Sequence, residues 1–187
     1  MEAETEINYS GKSDNDRRII SGNNNNMINA NRLKIAVASE HAGFALKTAL
    51  LPLLAQAGWE ALDMGVHSDA PSDYPEIACE LAAAVLDKRC AKGILLCGTG
   101  IGMCVAANKI AGIRAALCGD VFSARMSRLH NDANILCMGA WLTAPRLAME
   151  ISAVFLNTEF EGGRHIPRLK KLSLLERRAN VAGEDHA

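Results

Sequence analysis

The sequence predicts an α/β protein: a single doubly wound, Rossmann-like domain of three αβα layers around a five-stranded parallel sheet. From residue 33 onward short apolar runs alternate with amphipathic segments, the pattern of strands joined by crossover helices. The runs are apolar at consecutive rather than alternate positions, as in a sheet covered on both faces. Residues able to do chemistry follow these runs directly, where ligands of such sheets gather.

Residues 1–31 stand apart. They are polar, nearly free of aliphatic side chains beyond Ile7, Ile19 and Ile20, and they close on an asparagine run from Asn23 to Asn26. Such a segment cannot bury enough apolar surface to offset the cost of ordering, so a disordered tail is expected. The folded domain is expected over 32–180, with 181–187 flexible. Its strands are expected at Leu33–Ser39, Trp59–Met64, Gly93–Cys97, Arg114–Cys118 and Asn134–Met138. Helices are expected near 43–57, 75–88, 102–110, 120–129 and 144–156, with a last one near 167–179 that Pro167 enters at its first turn.

Composition narrows the function classes. A chain of 187 residues with 49% hydrophobic content can build one well-buried domain with extensions. Net charge is −1 with acids and bases interspersed, which favours neither nucleic acid nor an anionic membrane as a partner. No apolar run approaches a membrane span, and the start Met-Glu-Ala-Glu-Thr-Glu is acidic where a secretory signal is basic and then apolar. The six cysteines, at 79, 90, 97, 104, 118 and 137, lie singly, without the paired spacing of a zinc site or a disulfide framework. A soluble protein of the reducing cytoplasm is the expectation.

The most informative segment is Gly93-Ile-Leu-Leu-Cys97-Gly98-Thr99-Gly100-Ile-Gly102-Met103. An apolar strand delivers a thiol into a glycine-rich turn at a helix start, where backbone N–H groups converge and favour an anion or a thiolate. Cys97 alone reads equally well as a small buried residue ending a strand. Alternating Gly98, Gly100 and Gly102 favour a loop that approaches a ligand closely. It is no dinucleotide fingerprint, because Met103 stands where the third glycine belongs, and it lacks the Gly-Lys-Ser/Thr of a P-loop. Met103 also stands where a cysteine phosphatase needs its arginine. What remains is a small ligand and proton chemistry.

Further groups follow the other strands: Glu40 and His41, Asp73 and Tyr74, Gly119 and Asp120, and Trp141. His130, expected at the end of the fourth helix, reads either as a cap favoured by the helix dipole or as a proton carrier near neutral pH. In Glu161-Gly-Gly-Arg164-His165-Ile-Pro167-Arg168, two arginines on a Gly-Gly hinge at a helix start suit a phosphate clamp, with a solvated basic patch as the alternative.

Assembled, these blocks resemble the type B ribose-5-phosphate isomerases, whose family includes allose- and galactose-phosphate isomerases. The resemblance runs over residues 33–180 through Glu40-His41-Ala-Gly-Phe-Ala-Leu-Lys47, Asp73-Tyr74-Pro75, Cys97-Gly-Thr-Gly-Ile-Gly102, Ala106-Ala-Asn108-Lys, Gly112-Ile-Arg114-Ala, Ser127-Arg-Leu-His130-Asn131-Asp132 and Glu161-Gly-Gly-Arg164-His165. It implies aldose–ketose isomerisation without metal or other cofactor, converting ribose 5-phosphate to ribulose 5-phosphate through an enediolate. It implies Cys97 as the base, His130 as the ring opener aided by Glu40, and Thr99 with the Gly98, Gly100 and Gly102 amides as the oxyanion site. Tyr74 and Asn131 would orient hydroxyls; His41, Arg164 and Arg168 would bind phosphate. It further implies a homodimer or homotetramer, with the site shared between chains and the last helix packed on a partner. Members that replace the cysteine take a glutamate at the position of Met103, so here the thiol is the implied base. Glu40 stands where the family ordinarily has aspartate, and Trp141 where many members carry arginine. Both departures bear on the sugar: allose 6-phosphate or a tetrose phosphate is the alternative substrate, and a non-catalytic sugar-phosphate binding protein the alternative class.

Overall fold

The computed structural model describes residues 34–184, with side chains to residue 176. The asparagine-rich segment 1–31 lies outside the described residues. Five parallel strands, β1 (Ile35–Ser39), β2 (Ala61–Gly65), β3 (Lys92–Cys97), β4 (Ala115–Leu117) and β5 (Ile135–Gly139), form one sheet in the order β2-β1-β3-β5-β4. Helices α1 (Phe44–Gln56), α2 (Tyr74–Leu86), α3 (Ile101–Ala107), α4 (Val121–Asn131) and α5 (Pro145–Asn157) connect or follow the strands, and α6 (Ile166–Glu184) closes the chain. The predicted class and every predicted element are present. The matching order of crossovers places a switch point between β1 and β3, where an α/β sheet opens a crevice at its carboxyl edge.

Burial explains the apolar runs. β1 and β5 are buried at every position, and β3 at all but Lys92. One face holds Ile35, Val37, Ile94, Leu96, Leu136 and Met138 against Leu50 and Leu54 of α1 and Ile151 and Phe155 of α5. The other holds Ala36, Ala38, Leu95, Ile135 and Cys137 against α2 and α3, through residues such as Leu81 and Met103. Side chains alternate between the two layers along each strand, so both need to be apolar.

The boundaries differ where a turn or a cap decides them. The second strand begins at Ala61, because Trp59 N–H still donates to the Leu54 carbonyl and closes α1. The third helix stops at Ala107, followed by a turn to Gly112, whose φ of +85° ends helical geometry. The fourth helix extends to Asn131, ended by Asp132 in the left-handed region at φ 45°, so His130 lies inside its last turn rather than at its end. The last helix runs past the expected 179 to Glu184, so residues 181–184 are helical, and 185–187 lie outside the described residues.

One buried charge ties the fold to the site. Lys47 of α1 is 1% exposed and gives its ammonium to the Met64 and Val66 carbonyls at 2.7 and 2.6 Å and to Asp63 Oδ1 at 2.6 Å. It thereby pins the exit of β2, from which the segment leading to Asp73 and Tyr74 departs.

Candidate active site

At the carboxyl edge the sheet delivers the residues the sequence singled out. Cys97 ends β3, nearly buried, and its Sγ accepts the Gly100 N–H at 3.1 Å. A sulfur anion accepts such a bond better than a thiol does. Gly100 sits at φ +79°, and a Cβ there would lie 2.8 Å from the Met138 carbonyl carbon, so this turn requires glycine. Gly102 leaves room for the Tyr74 ring, whose Cζ would be 3.1 Å from an added Cβ, and Gly98 does the same for the Trp141 indole. Thr99 Oγ1 accepts the Ile101 N–H at 3.3 Å and joins the start of α3.

Across the β1–β3 crevice, Glu40 caps the turn His41–Gly43, accepting the Ala42 and Gly43 N–H groups at 3.1 Å each. Its Oε2 also lies 2.7 Å from His41 Nδ1. The buried carboxylate is therefore a fixed acceptor that orients His41. Ser72 clasps the same histidine, its Oγ accepting the His41 N–H at 3.2 Å, and its own N–H lying 3.3 Å from Nδ1. Only one of Glu40 and the Ser72 N–H can satisfy Nδ1 at a time, since the first needs a hydrogen there and the second a lone pair.

The second group of predicted residues lies elsewhere. α4 leaves the carboxyl end of β4 and must return to the amino end of β5, because the two strands are parallel. His130 and Asn131, in its last turn, are thus at the amino edge of the sheet. Arg114 and Arg128 both bind Asp132, each at 2.8 Å, and this clamp fixes the turn that carries them. The segment after α5 joins there, the Glu161 N–H donating to the Leu129 carbonyl at 3.1 Å. His165, 3% exposed, stacks on His130 with ring centroids 4.3 Å apart and planes 13° from parallel. Glu161 Oε2 is 3.8 Å from His130 Nε2 and 3.7 Å from His165 Nε2. Arg164 Nε donates to His165 Nε2 at 3.3 Å, and Arg168 Nη1 lies 3.5 Å from its Nδ1. Burial first, then the charges of His130, Arg164 and Arg168, hold the His165 imidazole below its ordinary value, against an opposing pull from Glu161.

So the fold brings together Cys97, Thr99, the three glycines, Glu40, His41 and Tyr74 at one edge, and His130, Arg164 and Arg168 at the other, with Asn131 beside His130. A strand of five residues separates the edges by roughly 16 Å. Among the described residues no hydrogen bond or ion pair links the groups. Within a single chain Cys97 and His130 therefore lie on opposite edges, because a parallel crossover sends the end of a helix to the edge opposite its start.

The model of the ribose/galactose isomerase family matches residues 35–172.

The chain belongs to the ribose/galactose isomerase family.

Within the family it is 42% identical to ribose-5-phosphate isomerase B of Escherichia coli over 147 residues, 79% of this chain and 99% of that one. It is 41% identical to the D-erythrulose-4-phosphate isomerase of Pectobacterium atrosepticum over 145 residues, 77% of this chain and 95% of the relative. A solved ribose-5-phosphate isomerase B of Clostridium thermocellum superposes with a TM-score of 0.77 at 43% identity, over 79% of this chain and 99% of the other. The Rossmann-like α/β fold and the isomerase class follow. No helix among the described residues is long and apolar enough to cross a membrane.

Sequence reading assigned no role to Glu161, His165, Arg114, Arg128 or Asp132, although all stand in the motifs quoted above. Arg114 and Asp132 are 18 residues apart in sequence, and their pairing is a product of the β4–β5 crossover.

Proposed function

We propose that the chain interconverts ribose 5-phosphate and ribulose 5-phosphate, with Cys97 as the base and without a metal ion or other cofactor. The observation that supports this most directly is the Cys97 sulfur held under the Gly100 N–H, at the mouth of a glycine loop on the ligand-binding edge. On the open-chain aldose, the thiolate takes the C2 proton, the electron pair forms the C1–C2 double bond of an enediolate, and the same proton returns to C1. A proton moves from O2 to O1 in the process, leaving the C2 ketone. Thr99 and the Gly98, Gly100 and Gly102 amides aim dipoles at the developing oxyanion, a term that can match or exceed the proton transfer itself.

Ring opening precedes this step. His130 accepts the anomeric O1 proton and supplies one to the ring oxygen as the C1–O bond breaks, with Glu40 of the other copy assisting. His41, Arg164 and Arg168 bind the phosphate, and Tyr74 and Asn131 orient hydroxyls. Because the two groups of residues lie on opposite edges of one chain, a complete site takes Cys97 from one copy and His130 from another. A homodimer or a homotetramer in the cytoplasm provides this. The rim of the Cys97 loop suits such a partner, since Ile101, Val105, Phe122, Trp141 and Leu142 are all more than half exposed. α6, with Leu172, Leu174 and Leu175 open, is the helix proposed to pack on the partner.

Among the described residues the one grouping of potential metal ligands is His130, Glu161 and His165, whose two imidazoles stack nearly parallel and so direct their lone pairs along separate planes rather than at one point.

A coupled assay on ribose 5-phosphate, with Cys97→Ala alongside, tests the reading: the variant should lose ~100-fold or more of the turnover. Unchanged turnover would remove Cys97 as the base. A second substrate reading, a tetrose phosphate, is favoured by Glu40, Trp141 and the relative named for D-erythrulose 4-phosphate. Comparing kcat/KM on erythrose 4-phosphate, ribose 5-phosphate and allose 6-phosphate decides between them. Tight binding of all three without turnover would mark a binding protein.

A further inference from the structure

The mechanism above leaves one part of the Glu161-Gly-Gly-Arg164-His165 motif without work. Its glutamate and histidine form, with His130, a compact group in which one carboxylate oxygen lies within 4 Å of two stacked imidazoles. The two rings are not equivalent. His165 is buried and has guanidinium donors near both ring nitrogens, Arg164 Nε at 3.3 Å and Arg168 Nη1 at 3.5 Å. An imidazole can accept at only one nitrogen, and a protonated one at neither. His165 is therefore held as an acceptor facing the arginines, and His130, half-buried, is the ring given the ring-opening role above. Among the described residues, the charged side chains acting on His165 besides His130 are Glu161, Arg164 and Arg168, of which Glu161 alone is anionic.

We infer that Glu161 is a positioning residue for His130: its carboxylate, 3.8 Å from Nε2, acts electrostatically to favour the ring hydrogen on Nε2 and so leaves the lone pair on Nδ1, while His165 supplies the flat face that fixes the ring plane. This rests on the ring-opening role given to His130 above. A carboxylate that fixes the tautomer and orientation of an imidazole is a known device of acid–base catalysis, and its loss is costly although it never touches substrate. The same stack joins ring opening to phosphate binding, since Arg164 and Arg168 lean on the histidine that supports His130.

The test uses the full-length protein and Glu161→Gln, which keeps shape and removes charge, with Glu161→Asp as the conservative variant. Long-range nitrogen NMR of the ligand-free enzyme reads which His130 nitrogen carries hydrogen. The Nε2–H form should dominate in the native protein and in Glu161→Asp, and Glu161→Gln should show a mixture. In kinetics, Glu161→Gln should lower kcat/KM on ribose 5-phosphate ~10-fold or more, with partial recovery in Glu161→Asp. Erythrose 4-phosphate, whose C4 oxygen is esterified and which forms no furanose ring, should suffer a loss at least several-fold smaller. An unchanged tautomer in Glu161→Gln, or equal losses on both sugars, overturns the inference. If the native enzyme turns over neither sugar, the isomerase reading fails, and the tautomer measurement still decides the role of Glu161.

Discussion

Replacing Gly100 by alanine perturbs the loop at the point where backbone geometry and chemistry meet. The φ of +79° costs a residue with a Cβ about 1–2 kcal/mol. The new methyl would stand 2.5 Å from Leu117 Cδ1, 2.8 Å from the Met138 carbonyl carbon and 3.0 Å from the Gly139 nitrogen. The leucine methyl can rotate away, but the β5 backbone cannot, so overpacking adds about 1–3 kcal/mol. The sum, about 2–5 kcal/mol, is a large share of the stability of a domain of this size. In urea, with a slope of about 2 kcal/mol/M, the midpoint should fall by about 1–2.5 M at constant slope. Relief of the clash must move the turn, carrying the Gly100 N–H away from Cys97 Sγ, so turnover should fall under conditions where the variant is still folded. Gly119→Ala is the control, because nothing lies within 4 Å of the added carbon. Should the two variants differ by less than about 0.5 kcal/mol, the turn would not be the constraint argued here.

Lys47→Met keeps the stem of the side chain but leaves Asp63 and the Met64 and Val66 carbonyls without their donor, and should cost about 2–4 kcal/mol by chemical denaturation; a change below about 1 kcal/mol would show the buried ammonium to be dispensable. Cys104 is held down to about 7, chiefly by its hydrogen bond with Cys137, so alkylation of Cys104 should climb between about pH 6 and 8 and then level off. Mass spectrometry of labelled peptides checks this, and Cys137, pushed up by the same bond and by burial, should remain unlabelled in the folded protein. His165 has a folded value below its unfolded one, so the folded chain binds fewer protons there, and stability is full above the unfolded value, about 6.5, and declines as pH falls below it. His165→Gln should flatten that decline in denaturation curves between pH 7 and 5; parallel curves would refute the assignment.

Much of the fold was legible because it depends on short-range pattern. Consecutive apolar residues at 94–96 and 135–138 mark strands buried on both faces, and the Cys97-to-Gly102 loop announces a turn at a helix start. Boundaries were less legible where a cap decided them: Arg128 is a helical neighbour four residues before Asp132, but nothing local shows that Arg114 joins it to hold the aspartate in a left-handed turn. At the site, sequence reading found the residues but not their partition. Strand-end residues such as Glu40, Tyr74 and Cys97 share an edge by the rule of parallel sheets. His130 obeys the same rule in reverse, since a crossover helix returns to the opposite edge.

The α/β class, the thiol in its glycine turn and the motifs of the ribose/galactose isomerase family were all written in neighbouring residues or in their periodicity. Three relations came from the packing alone: Cys97 and His130 stand a strand length apart in one chain, Lys47 is buried with three acceptors, and one Glu161 oxygen lies within 4 Å of two stacked histidines. Those relations join residues far apart along the chain, and their distances are set by the direction of crossovers and the packing of helices on the sheet.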